Sequence, residues 1–450
     1  MRKPLNILAI FLLTISILAL LPSDSQADLS ALQITLPGTN TPRPTEAMDF
    51  VLNTNTPAGP TATPSDTATF TMTPTATSTP TATPTATSTP TNTPSPTPTP
   101  NGPFFYPEGT NPLTGLPYPS EAALMRRTLI VKISNFPPVV RPQSGVNAAD
   151  VVYEYEVEGG VTRFAALYRN NAPTHIGPVR SARLIDLELV PMYQAMLAYS
   201  GTSEPIQNMI LSADWVFRSF SPLKGDNCEE AGFCRFPEEG VAFEHTLFLD
   251  TTPLYERATR RGVNTGFRAR GFAFSDEPSP GGQPAVDVFI DYFGQTNARW
   301  QWNAEADRWV RFTEDVPHFD AADGEQLWAD NIIVIEVPHN RRPDLFPPGS
   351  NFESLEIALW DQGRALLFRE GQFWQGFWRR RSRDEGDALQ VIFGNNTPIL
   401  MKPGRTWVNV VRGLGNVTIQ DERVPVEATA TTIALTATRT PVPTSAFAEP

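Results

Sequence analysis

The segment "DVVYEYEVEGGVTRFAALYR", residues 150–169, decides how the middle of this chain is read. It alternates with a period of two. Tyr153, Tyr155 and Val157 fall on one face of a strand, and Glu154, Glu156 and Glu158 on the other. Gly159-Gly160-Val161 separates this run from "TRFAALYR", so the two are predicted to pair as a β-hairpin. Three carboxylates on one face repel one another unless something neutralises them. Two readings stay open here. Either the face is solvated, or Glu154 and Glu158 pair with arginines such as Arg163, Arg180 or Arg183.

Working outward, "TLIVKIS" (128–134) is another predicted strand. "SARLIDLELV" (181–190), "SEPIQNMIL" (203–211) and "TPLYERATRR" (252–261) are predicted helices, the first two with Ser181 and Ser203 as N-caps. "SDEPSPGGQP" (275–284) marks a boundary. Beyond it strand signals dominate, among them "ARWQWNAEADRWVRF" (298–312), "NIIVIEV" (331–337), "GRALLFREGQFWQGFWRR" (363–380) and "RTWVNVV" (405–411). The expected fold is an α+β domain (105–274) followed by a smaller, mainly antiparallel β domain (285–420).

The ends are of other material. Arg2 and Lys3 precede the apolar run "LNILAIFLLTISILALL" (5–21), and "SQA" (25–27) offers a cleavage site, so residues 1–27 are read as an export signal. Left uncut, that run is at the short limit for a membrane anchor. Residues 28–104 form a Thr/Pro-rich linker. "PTATSTPTAT" (74–83) is followed by "PTATSTPTNT" (84–93), and Asp66 is the one charge from 51 to 100. Such a segment buries too little apolar surface to fold, and fifty residues of extended polyproline II reach about 150 Å. Residues 421–450 return to this bias and are expected to be a disordered tail. Export places Cys228 and Cys234, the two cysteines of the chain, in an oxidising setting where they are expected to form a disulfide. Residues 105–425 hold 31 Lys+Arg against 41 Asp+Glu, a balance of −10 that argues against nucleic-acid binding.

The candidate site lies in "HIGPVRSAR" (175–183) and "SGTSE" (200–204). Arg180 and Arg183 carry planar forks suited to carboxylate or phosphate, and two helix starts at Ser181 and Ser203 favour an anion. Ser181 as a nucleophile lacks the flanking glycines of a hydrolase elbow. His318 and His339, in Pro-flanked loops, are expected at the surface. Nothing reads as a cofactor or metal site.

Four strings carry a resemblance: "NPLTGLP" (111–117), "RPQSGVNAADVVYEYEVEGGVTRFAALY" (141–168), "IGPVRSAR" (176–183) and "LMKPGRTWVNVV" (400–411). Over roughly 105–412 the chain resembles the YerB-like family of exported, often lipid-anchored proteins. The resemblance implies two domains and no established activity. It departs in one respect, since no cysteine follows the signal. The matched polar positions are Glu154, Glu158, Arg163, Arg180, Ser181, Arg183, Ser203 and His245, whereas Glu156 and His175 have no counterpart in it. The leading expectation is a non-enzymatic protein of the cell envelope or exterior that binds an anionic wall polymer or an envelope protein. A hydrolase or transferase of envelope polymer, with Glu158 or His245 as acid or base, is the rival. A third reading is a partner scaffold using Trp300, Trp302, Trp374 and Trp378.

Overall fold

The hairpin forms as its alternation requires. In the computed structural model, which describes residues 100–266, 269–292, 294–345 and 353–426, Val151–Val157 pairs antiparallel with Val161–Tyr168, Val157 opposite Val161. Gly159 and Gly160 turn the chain at φ +85° and +69°, a left-handed conformation that side chains with a Cβ resist. The expected signal, residues 28–99 of the linker and residues 427–450 of the tail lie outside the described residues.

In chain order the N-terminal domain carries α1 (Glu121–Met125), β1 (Leu129–Ser134), β2 (Val151–Val157), β3 (Val161–Tyr168), α2 (Asp186–Met192), β4 (Met196–Ala198) and α3 (Glu204–Ser212). It continues with β5 (Ser219–Phe220), α4 (Cys228–Ala231), β6 (Phe233–Arg235), β7 (Leu247–Leu249) and α5 (Thr251–Arg260). The C-terminal domain is built of strands: β8 (Gln283–Pro284), β9 (Asp287–Asp291), β10 (Asn297–Asn303), β11 (Arg308–Thr313), β12 (Val316–Pro317), β13 (Trp328–Ala329) and β14 (Asn331–Glu336). After these come β15 (His339–Arg342), β16 (Ser354–Ile357), β17 (Asp361–Arg369), β18 (Gln372–Arg380), β19 (Gln390–Ile392), β20 (Thr406–Val411) and β21 (Val417–Gln420).

The two domains share one sheet, in the order β19-β18-β17-β14-β20-β2-β3-β1-β4-β5, with β8 also on β18. Its centre is parallel: β20 lies between β14 and β2 and runs with both. Strands in such a position are covered on both faces, and every residue of β1, β2 and β20 is buried. The strand that carries Glu154 and Glu156 is therefore not half-solvated, and Glu158 stands in the turn just beyond it. A second, antiparallel sheet, β12-β11-β10-β9-β21 with β13 on β11, covers one face of the first. Trp300 of β10 and Phe164 of β3 both meet the ring of Trp407 in β20 at 5.1 Å. Trp300, Trp374 and Trp378 are core side chains, and Trp302 is half-buried.

The segment "KPGRTW" (402–407) stitches the domains together. A Cβ at Gly404 would lie 2.0 Å from the Asp330 carboxylate. Arg405 reaches across to the carbonyls of Ala149 (2.9 Å) and Val146 (3.1 Å), which aligns β20 beside β2. Residues 275–284 are likewise held, since Arg369 donates to the carbonyls of Ser275 and Asp276.

Candidate functional site

Seven of the eight polar residues singled out by sequence line one cleft of about 480 Å³: Glu158, Arg163, Arg180, Ser181, Arg183, Ser203 and His245. The eighth, Glu154, does not. Pairing sets Tyr155 opposite Arg163, so Arg163 shares the tyrosine face and Glu154 points the other way. Glu154 is fully buried and accepts two 2.8 Å bonds from Arg311 of β11, one from Thr162 (2.9 Å) and one from Trp407 Nε1 (3.2 Å). Glu156 meets Arg412 at 2.7 and 2.8 Å. Of the pairings expected with Arg163, Arg180 and Arg183, the one that forms is Arg183 Nε to Glu158, at 2.5 Å.

The expected helix 181–190 starts late. Residues 176–182 are extended and threaded between neighbouring segments. Val179 N–H donates to the Leu247 carbonyl (2.6 Å) and Arg180 N–H to that of Lys132 (2.7 Å), while Ala182 N–H donates to Gly201 (2.9 Å). With its backbone bonds spent on neighbours, this run has none left for a helix. Helix α2 begins at Asp186, after Ile185, so Ser181 caps nothing. The extended course instead buries Val179 and Ala182 and leaves Arg180, Ser181 and Arg183 on the cleft. Gly177 permits the close approach: a Cβ there would lie 2.8 Å from the ring of Phe248. Ser203 does stand at the N-cap of α3, but its Oγ is buried without a hydrogen-bond partner.

Cations outnumber anions in the cleft. Arg163 is 7% exposed, donates through Nη1 to the Ser181 carbonyl (2.8 Å), and forms no ion pair with any carboxylate among the described residues. Burial, with Arg183 and Arg180 adding repulsion, brings its pKa down to about 9. Among the described residues the carboxylate that Arg180 meets is that of Glu244, at 3.9 Å, and burial lowers its pKa too. His245 is 7% exposed, and its Nδ1 has no partner. Burial, then Arg180, pushes its pKa below the usual imidazole value, so the ring is neutral at pH 7. Beneath the site Lys132 and Asp186 form a fully buried pair at 2.5 Å, with Lys132 lowered to about 8 by burial. Asp186 also accepts the Arg183 N–H (2.7 Å), fixing where that arginine leaves the chain.

The loop between β6 and β7 brings in Glu244 and His245. Cys228 of α4 is bonded to Cys234 of β6. His175 stacks on Phe248 (4.3 Å between ring centres) and meets the edge of Phe236 (4.9 Å), so it supports this loop from behind. His318, expected at the surface, is 3% exposed and sits among Arg311, Thr313 and Gln143 on the Glu154 side. Sequence reading missed Glu244, Lys132 and Arg311. A lysine inside the apolar run "TLIVKIS" was the available sign of a buried ion pair. Among the described residues no three His, Cys, Asp or Glu side chains converge to hold a metal.

Two family models match this architecture in turn. Residues 113–264 match the N-terminal domain of a protein of unknown function, DUF3048, and residues 288–408 match its C-terminal domain. The chain belongs to the YerB-like family. It is 25% identical over 312 residues to the Bacillus subtilis (strain 168) protein named "Putative lipoprotein YerB", across 68% of this chain and 88% of that one. The crystal structure of YerB protein from Bacillus subtilis has the same fold, with a TM-score of 0.58 at 24% identity over 69% of this chain and 99% of that chain. In this YerB-like chain the N-terminal DUF3048 segment supplies all seven cleft residues predicted from sequence. The C-terminal segment adds Ser354 to the wall.

Proposed function

We propose that this protein is an exported component of the cell envelope whose cleft binds an anionic group on wall polymer or on an envelope protein, with no chemistry of its own. One observation carries the reading. Arg163 is a buried guanidinium that forms no ion pair with a carboxylate among the described residues, Glu158 acting on it only from a distance, and Arg180 and Arg183 stand on the same cleft. A charge taken out of water without a counter-ion is costly, and an anionic ligand offsets that cost. Export is supported by the basic, apolar and small-residue order of residues 1–27 and by the name of the Bacillus subtilis relative, "Putative lipoprotein YerB".

The test mixes the full chain with isolated cell-wall material, beside an Arg163→Met variant. Retention at low salt that is lost both in high salt and in the variant is the expected result. Equal retention of parent and variant would sink the reading. A second reading has its own support: Ser203 Oγ and His245 Nδ1 lie on one cleft and neither has a partner. A hydrolase or transferase of envelope polymer would use His245 as acid or base. Glu158 suits that role less, being engaged by Arg183. Soluble fragments released by the parent and not by His245→Asn would move the assignment there.

A further inference from the structure

The anion reading leaves the shape of the anion open, and the donors around the cleft bear on it. Arg183 is largely committed, its Nε to Glu158 and its Nη1 to the Ala182 carbonyl (2.8 Å). Arg163 and Arg180 are not. Arg163 spends one N–H, on the Ser181 carbonyl. Arg180 makes no side-chain hydrogen bond among the described residues, since Glu244 stays at 3.9 Å. Two guanidinium forks thus face the cleft from different parts of the chain, β3 and the extended run 176–182. The unpaired hydroxyl of Ser203 adds a further group on the wall.

A carboxylate is planar, with two oxygens and about four lone-pair sites in that plane, and a single bidentate arginine takes about half of them. Two forks and a hydroxyl that come from different parts of the chain suit an acceptor whose oxygens are not confined to one plane. A phosphate monoester offers three terminal oxygens in a tetrahedral array and carries about −1.5 to −2 charges at pH 7. That matches two guanidiniums lacking a carboxylate at hydrogen-bond distance. The cleft, at about 480 Å³, falls within the size range of small-molecule sites and is wider than a phosphate alone requires. Phe136, Pro137, Val157 and Ile206 give it an apolar side for the rest of the ligand.

Resting on the anion reading above, we infer that the ligand presents a phosphate monoester, seated between Arg163 and Arg180, and that the site discriminates against a carboxylate of similar size. The phosphate can belong to a soluble polyol or sugar phosphate or to a lipid headgroup, and the chemistry at the cleft is shared.

Calorimetric titration of the full chain at fixed ionic strength tests this with three probes: glycerol 3-phosphate, glycerate and short-chain dihexanoyl phosphatidic acid. Glycerol 3-phosphate is expected to bind at least about tenfold more tightly than glycerate, the worth of one charge-assisted hydrogen bond. Arg163→Met and Arg180→Gln should each remove that preference. Arg180 is the more exposed of the two, so its variant keeps the test open if the first does not fold. Tighter binding of the phosphatidic acid than of glycerol 3-phosphate, lost in both variants, assigns the lipid source, and the reverse order assigns the soluble one. If glycerate binds as well as glycerol 3-phosphate and still depends on Arg163, the phosphate inference fails and the anion reading stands. If no probe binds saturably, both fail.

Discussion

One hairpin carries two buried charges with opposite fates. On the face toward the second sheet, Glu154 is saturated by Arg311, Thr162 and Trp407, and the Arg311 guanidinium lies 5.2 Å from the ring centre of Trp407 and 5.3 Å from that of Phe164. On the opposite face, Arg163 is nearly as deeply buried and has no counter-ion within ion-pair distance among the described residues. The first charge is closed architecture between domains. The second forms no ion pair among the described residues, and the proposed anion would fill that place. Of the two, the charge left uncompensated is the one the proposed anion binding can use.

The largest effect expected from this contrast is at Arg311. Arg311→Met strands Glu154 in the core without its cation, and breaking a buried pair in this way costs about 3–5 kcal/mol. Urea denaturation measures it. If Arg311→Met unfolds no more readily than Arg163→Met, the distinction between the two faces collapses.

The disulfide comes next and acts on the open face alone. Cys228 and Cys234 are six residues apart, and closing so short a loop is worth about 2 kcal/mol in the chain-entropy account. Replacing both by serine should lower the melting temperature accordingly. It should also weaken anion binding, because β6 anchors the loop that holds Glu244 and His245. Unchanged binding in the double-serine protein would mean that the aromatic contacts of His175, Phe236 and Phe248 suffice to hold that loop.

Acid sharpens the comparison from the closed side. Burial, reinforced by Arg311 and Arg141, holds the His318 pKa well below its ordinary 6.5. Above pH 6.5 the ring is neutral in folded and unfolded chains alike, and its contribution is complete. As pH falls below 6.5 the unfolded chain takes a proton that the folded chain refuses, so stability drops by up to about 1.4 kcal/mol per pH unit. Asp150, raised to about 6 by burial, works in the opposite sense below that pH. It is present in both proteins, so the difference between parent and His318→Gln isolates the histidine. From pH 6.5 to 5.5 the parent should lose on the order of 1 kcal/mol more than the variant. Parallel stability profiles would show that His318 accepts a proton without unfolding.

Much of this was legible before the fold was known, and the failures have physical causes. The hairpin could be read because alternation and paired glycines are local. The convergence of Arg180, Ser181, Arg183 and Ser203 could be read from chemistry, though the reason given for it did not hold: a ladder of backbone bonds to β1 and β7 overrode the helical pattern. Glu154 was misplaced although its parity was available, since a turn that sets Val157 opposite Val161 also sets Tyr155 opposite Arg163. Arg311 was out of reach, lying 157 residues from Glu154 and brought there only by the packing of two sheets. His318 was misread for the same reason, because flanking prolines describe the loop and not what covers it.

The smallest expected effect in stability is also the most discriminating. Arg163→Met removes a buried charge that has no ion-pair partner among the described residues, so it forfeits one hydrogen bond to the Ser181 carbonyl and relieves repulsion from Arg183 and Arg180. The lost bond is worth about 1 kcal/mol, and replacing an uncompensated charge by an apolar side chain of similar length returns a comparable amount. The net change in unfolding free energy should fall within about 1 kcal/mol of zero, and a gain in stability would fit as well as a small loss. Anion binding should meanwhile be lost. A variant that keeps its fold and loses its ligand marks Arg163 as a residue retained for binding. A loss of several kcal/mol would mean that Arg163, like Arg311, belongs to the architecture, and the open face of the hairpin would then be closed as well.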